Sequence, residues 1–218
     1  MNTPCSSPRW QRRKDARPSE ITSAALALFI QKGFAATKLD EVARAAGVTK
    51  GTLYLYFSSK EELFKAAIRE TLIPSIQMAE EFVADSKLSA TEMLTHLMEK
   101  WVELIVESPA NGISKLVVAE AGNFPDLANF YLNEVMTRVR KVFGEVLERG
   151  IQAGEFRPMH LGFAIKEIIS PVILQTIWHH TFSPYGQEAM DLGEFTRFHL
   201  SVVLKGIQAA PDNTENQA

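Results

Sequence analysis

The chain has 218 residues, 46% hydrophobic and 22% charged, with a formal net charge of −3. That length can bury a core in one domain or two modest ones, and the balance is that of an ordinary soluble protein with no apolar run expected to reach the roughly 20 residues of a membrane span. No secretory leader is evident, so the cytoplasm is the expected compartment, and the single cysteine, Cys5, excludes an intrachain disulfide or a Cys-rich metal cluster.

The charge is unevenly distributed. Residues 1–70 hold 12 Lys and Arg against 7 Asp and Glu, or +5, and the remainder is −8. A basic end suits a polyanion and an acidic body resists being wrapped by one. Residues 1–17, with Arg9, Arg12, Arg13, Lys14 and Arg17, read as a flexible basic arm that either follows a nucleic-acid backbone or minor groove or remains a free tail.

Helical periodicity begins at Ile21, with Ala24, Ala25, Leu28 and Phe29 completing one apolar stripe and Gly33 as its stop. A short second helix follows from a Thr37/Asp40 capping pair through Leu39, Val42, Ala43 and Ala46. Gly47 supplies the tight turn, because it can take a positive φ that a Cβ resists. Thr49 caps a third helix of about Lys50 to Phe57, with Leu53 and Phe57 inward. Ser58/Glu61 and Ser59/Glu62 offer overlapping capping boxes for a fourth helix, which Pro74 should kink or interrupt. Apolar periodicity resumes from Met93 to Ile105 and breaks at Ser108 to Gly112; further helices are expected at about 113–121, 126–152, 159–180 and 188–208, with no convincing strand. The expected fold is all-α: a three-helix helix-turn-helix head over 18–70, a larger helical body over 71–210 and a disordered tail over 211–218.

Two short helices around a glycine turn suit a duplex reader, since a major groove admits one helix. A third helix entering by its N-terminal end brings Thr49, Lys50 and Thr52 toward bases and phosphates, and Gly51 removes bulk where backbone approaches DNA. Tyr54 and Tyr56 offer phenol donors at the groove lip, and Lys60 adds a cation beside exposed N–H groups. The block TKLDEVARAAGVTKGTLYLYFSSKEELFK, residues 37–65, closely resembles the DNA-binding signature of the TetR family of transcriptional regulators, a likeness covering about residues 17–69. It implies base contacts by Lys50, Gly51 or Tyr54 and phosphate contacts by Thr37, Thr49, Thr52, Tyr56 and Lys60. It also implies a homodimer on a double-stranded operator, a body that binds an effector, and repression by promoter occupancy, with activation open.

The last two helices are apolar on more than one side. The extra face is buried either by a symmetric partner subunit or within the core; Phe163, Ile169, Ile173, Phe195, Phe198 and Val202 are the expected interface residues. Met93, His96, Trp101, Phe124, Ile177 and Trp178 are candidates for an apolar cavity suited to a flat hydrophobic effector, with plain core packing the alternative for each. His179-His180 lacks a second cluster to make a metal site, and no spacing nominates a nucleophile and base, so neither metal, cofactor nor enzymatic activity is expected. No membrane partner is expected either.

Overall fold

The structure is a computed structural model. It describes residues 11–182, 185–186 and 190–210, with the side chains of 11–17, 106 and 107 outside the description. The chain forms two compact units, Met1–Thr71 and Leu72–Ala218. Helices make up the described regular structure; the β content among the described residues is an isolated bridge between Phe156 and Gln208.

The first unit holds α1 (Gln11–Lys32), α2 (Leu39–Ala45), α3 (Lys50–Tyr56) and the start of α4 (Lys60–Asp85). Helix α1 opens ahead of the expected start near Ile21, because Gln-Arg-Arg-Lys-Asp-Ala-Arg is rich in strong helix formers, and it runs on through Pro18. Residues 11–17, expected to be part of a flexible arm, are therefore helical, while residues 1–10 and the 211–218 tail lie outside the described residues. Ile21, Ala25 and Phe29 are fully buried. Phe29, Phe34 and Phe64 form a mutual cluster with centroid separations of 5.3, 5.8 and 5.5 Å. Each such pair adds about 0.5–1.5 kcal/mol beyond its area burial, which fixes α1 and α4 around the short helices.

Gly33 (φ 86°) and Gly47 (φ 65°) both take the left-handed conformation expected of helix stops. After α2, Val48 N–H donates to Ala43 O at 2.9 Å and Gly47 N–H to Arg44 O at 3.2 Å. These paired bonds close the helix and turn the chain into α3, whose cap Thr49 accepts from Thr52 N–H at 3.1 Å. Capping at α2 differs from expectation. Lys38 is the N-cap, with Glu41 accepting from its backbone N–H at 3.4 Å, because the Thr37 hydroxyl is committed to the carbonyl of Gly33. At α4, Ser59 accepts from Glu62 N–H at 3.1 Å, and the helix continues through Pro74 to Asp85.

The second unit holds the rest of α4, then α5 (Ala90–Glu107), a 3-10 turn (Pro109–Gly112), α6 (Ile113–Glu120) and α7 (Pro125–Tyr131). A π turn (Leu132–Met136) leads into α8 (Thr137–Gln152), followed by α9 (Leu161–Phe182) and α10 (Leu192–Ile207). Its core joins Leu94, Met98, Val146, Leu147, Phe156, Ile168 and Val172, from α5, α8, the following loop and α9. The N-terminus of α5 is capped twice: Ser89 and Glu92 form a capping box, and Glu155 accepts from Ala90 N–H, Thr91 N–H and the Thr91 hydroxyl at 2.9, 3.0 and 3.0 Å. Burial pushes the Glu155 pKa up, but these donors outweigh it and hold the carboxylate below its usual range.

By length and composition α9 can cross a membrane, contrary to the expectation that no such run exists; the mean hydropathy of its most apolar window is 1.3. Ile165, Ile168, Ile169 and Val172 are buried in the unit's core, yet 28% of that window is buried in all, leaving much of α9 uncovered.

Candidate nucleic-acid interface and ligand cavity

Helix α3 has one buried side and one open one. Leu53 and Phe57 are buried, while Lys50, Gly51, Tyr54, Leu55 and Tyr56 are exposed and Thr52 is half-buried. A Cβ added at Gly51 would meet nothing nearer than Thr49 Oγ1 at 3.9 Å, so nothing among the described residues requires glycine there. Lys50 Nζ lies 2.8 Å from Asp40 Oδ1; this hydrogen bond and the attraction of the carboxylate push the lysine pKa up, and both side chains are exposed. Thr49 and Thr52 share a hydroxyl contact of 2.9 Å at the start of the helix. Lys50, Gly51, Thr49, Thr52, Tyr54 and Tyr56 thus lie together on α3 and its cap. Leu55, which sequence reasoning passed over, lies among them; its apolar character hid it in a search for polar contacts.

Thr37 and Lys60, both expected at phosphates, are engaged within the chain. Thr37 is 2% exposed, and its hydroxyl donates to Gly33 O at 2.8 Å and Leu28 O at 3.3 Å. Lys60 Nζ donates to the carbonyls of Phe34, Ala35 and Thr37 at 2.7, 3.2 and 3.2 Å and sits 4.4 Å from the Phe34 ring centroid. Its charge closes the α1–α2 loop, taking up three carbonyls of the segment between the two helices. Lys60 and Thr37 are thus structural supports of the reading helices.

In the second unit a cavity of about 510 Å³ is lined by α4, α5, the 3-10 turn, α6, the end of α7, the π turn, α8 and α9. Its walls are mainly apolar, including Ile76, Phe82, Leu97, Trp101, Val139, Phe143 and Ile173. Few polar groups interrupt them. Tyr131 is hydrogen-bonded to Ser114; burial pushes the phenol pKa up, with the Ser114 bond opposing. His96 lies against Phe82, centroids 4.4 Å apart, and neither its ring nor the Ser75 hydroxyl has a hydrogen-bond partner among the described residues. Lys100 and Glu103, paired at 2.7 Å, are more than half exposed and mark the side where the cavity meets solvent.

Of the six expected cavity residues, His96 and Trp101 line it. Met93 is 2% exposed in the packed core, Phe124 is the N-cap of α7, and Ile177 and Trp178 lie further along α9 than its lining residues Ile169 and Ile173; Trp178 is 47% exposed. The expected interface set also divides. Phe163, Phe198 and Val202 are exposed, whereas Ile169 is buried, Ile173 lines the cavity and Phe195 packs on the core. A helix apolar all round gives no sequence signal for which side is covered by its own subunit.

The family model for bacterial regulatory proteins of the tetR family matches residues 21–67, and that for the C-terminal domain of AefR-like transcriptional repressors matches residues 92–184. The HTH-type transcriptional repressor KstR2 of Rhodococcus jostii (strain RHA1) is 29% identical over 207 residues, spanning 92% of this chain and 95% of its own length. The fatty acid metabolism regulator protein of Bacillus subtilis (strain 168) is 27% identical over 146 residues, 66% of this chain and 74% of its own. Among solved structures, the ketosteroid transcriptional regulator KstR2 of Mycobacterium tuberculosis superposes with a TM-score of 0.69 at 25% identity, covering 89% of this chain and 96% of that one. FadR from B. subtilis, solved with stearoyl-CoA, shares the fold with a TM-score of 0.68 at 23% identity, covering 87% and 99%. With its glycine turn, capped short α3 and helical C-terminal unit, the chain belongs to the TetR family of helix-turn-helix transcriptional regulators.

Proposed function

We propose that this regulator is a homodimeric repressor that occupies a two-fold symmetric operator and leaves it when a bulky apolar effector enters the second unit. Residues 18–70 form the DNA-reading unit and residues 71–210 the effector and dimerisation unit. The observation that carries the DNA reading is the open side of α3; on this reading Lys50, Gly51 and Tyr54 meet base edges and Thr49, Thr52 and Tyr56 hold phosphates.

The effector part rests on the 510 Å³ cavity, a volume in the range of small-molecule sites. Its apolar walls exclude a sugar or nucleotide as the main body of a ligand. His96 and Ser75 supply hydrogen bonds to a carbonyl or hydroxyl on that body, and any ionised group sits at the Lys100/Glu103 rim. The names of relatives point the same way: one is called a ketosteroid regulator, one a fatty acid metabolism regulator, and one was solved with stearoyl-CoA. Six cavity residues come from α4, the helix that contains the boundary between the units, so an occupant can bias the helix that also begins in the reading head. The dimer places the exposed Phe163, Leu174, Phe198 and Val202 of α9 and α10 against a second copy.

The test is displacement. A labelled operator, selected from sheared genomic DNA, is bound by the protein and titrated with stearoyl-CoA and with a steroid ketone. Release by either, weakened in His96→Leu, supports the reading; operator binding indifferent to both, with neither ligand quenching tryptophan fluorescence, contradicts its effector half.

A further inference from the structure

The outermost side chain of α3 is apolar. Leu55 is 83% exposed, and it lies two residues, or about 200° of helix rotation, from buried Leu53 on one side and from buried Phe57 on the other. It therefore points away from the midpoint of the buried side. Tyr54 flanks this crest on one side and Thr52 and Tyr56 on the other, while Lys50, five residues back, lies about 140° round from it. Gly51, one turn earlier, adds no bulk beside it, and the space around its absent Cβ is open.

A helix seated in a major groove turns its crest toward the groove floor. That floor presents nitrogen and oxygen donors and acceptors, and the C5-methyl of thymine is the apolar group among them. A leucine pressed against guanine N7 and O6 or cytosine N4 strips water from polar atoms and returns no hydrogen bond, a net cost. Against a thymine methyl, two apolar surfaces leave water together.

We infer that Leu55 is a specificity-determining residue that reads thymine methyl groups, selecting T·A pairs within each half-site. The inference rests on the operator-binding reading above and adds to it a contact that carries no charge and forms no hydrogen bond. Tyr54 supplies the polar readout on the flank, and Leu55 supplies discrimination against C·G at the crest.

The test measures wild type, Leu55→Ala and Leu55→Met on the selected operator and on duplexes in which each thymine is replaced singly by deoxyuridine. That replacement removes the methyl and leaves the hydrogen-bonding edge intact. At one symmetric pair of positions it should weaken wild type about three- to fivefold, the scale of one methyl returned to water. Leu55→Ala should lose that dependence, with less than about a 1.5-fold effect at the same positions, as expected of coupled contacts. Leu55→Met, which keeps an apolar tip, should retain it. Leu55 is exposed, so all three proteins should melt together. If every deoxyuridine costs wild type and Leu55→Ala equally, the inference is overturned while operator binding stands. If wild type does not distinguish the selected duplex from random DNA, both fall.

Discussion

Arg138 on α8 forks onto Glu80 on α4, Nε donating to Oε1 at 2.8 Å and Nη2 to Oε2 at 2.6 Å. The neighbours of this pair, Ala79 and Val139, both line the cavity, so the bond ties two of its walls together. The side chains are about a third exposed, which screens the pair and limits it to about 1 kcal/mol. Arg138→Gln should lower the melting temperature by about 2–4 °C at pH 7. The Arg138 guanidinium holds the Glu80 carboxyl below the usual range, so the folded pKa lies under the unfolded one. Its contribution is complete above the unfolded value, about 4.3, and is lost as pH falls through the folded one. The gap in melting temperature between wild type and Arg138→Gln should hold from pH 7 to about pH 5 and shrink as pH falls below the unfolded value, closing once it has passed the folded one; a gap that widens on acidification would show that the pair is not the cause.

Close packing makes Gly150 intolerant of a side chain. A Cβ there would sit 2.1 Å from Phe156 Cδ2 and 2.9 Å from Ala90 Cβ, and Phe156 is 1% exposed. Alanine favours a helix by about 1 kcal/mol over glycine, but overpacking costs about 1–3 kcal/mol and here requires an aromatic ring to move. Gly150→Ala should therefore melt below wild type in calorimetry, while Gly206→Ala, with open space around its Cβ position, should not.

Lys60 separates a structural lysine from a phosphate-binding one. Each phosphate contact contributes about 0.9 to the slope of log affinity against log salt. Lys60→Gln should reduce the stability of the first unit and weaken DNA binding, yet leave that slope unchanged, because its ammonium is spent on the carbonyls of Phe34, Ala35 and Thr37. A slope lower by about one would restore the phosphate role.

The sequence showed where these helices begin and stop more clearly than what each side chain does. Gly33 and Gly47 were legible because a left-handed residue at a helix end has few chemical solutions, and the α2–α3 turn followed from them. Position in a motif, however, does not say which acceptor a side chain takes, and Thr37 and Lys60 found theirs inside the loop they follow. Periodicity placed Met93 and Trp101 on one apolar stripe of α5 without showing that Met93 faces packed core and Trp101 an open volume. The π turn that helps line the cavity left no signal at all, since a continuous helix over 126–152 satisfies the same pattern.

The exposed faces of α9 and α10 predict a dimer that a single charge can break. Phe198 is 67% exposed within the subunit, so Phe198→Glu should leave folding intact. It buries an unpaired carboxylate if a second copy covers it, and sedimentation should then show a monomer at concentrations where wild type is dimeric. Unchanged sedimentation would place the subunit contact elsewhere.

The central claim is that α3 reads sequence, and the most direct test is affinity across a salt series for the duplex selected from genomic DNA, beside Tyr54→Ala. The account predicts a two-fold symmetric site bound about a thousandfold or more above random duplex, with that gap collapsing in the variant. Weak, salt-sensitive binding with no sequence preference, unchanged by Tyr54→Ala, would contradict it.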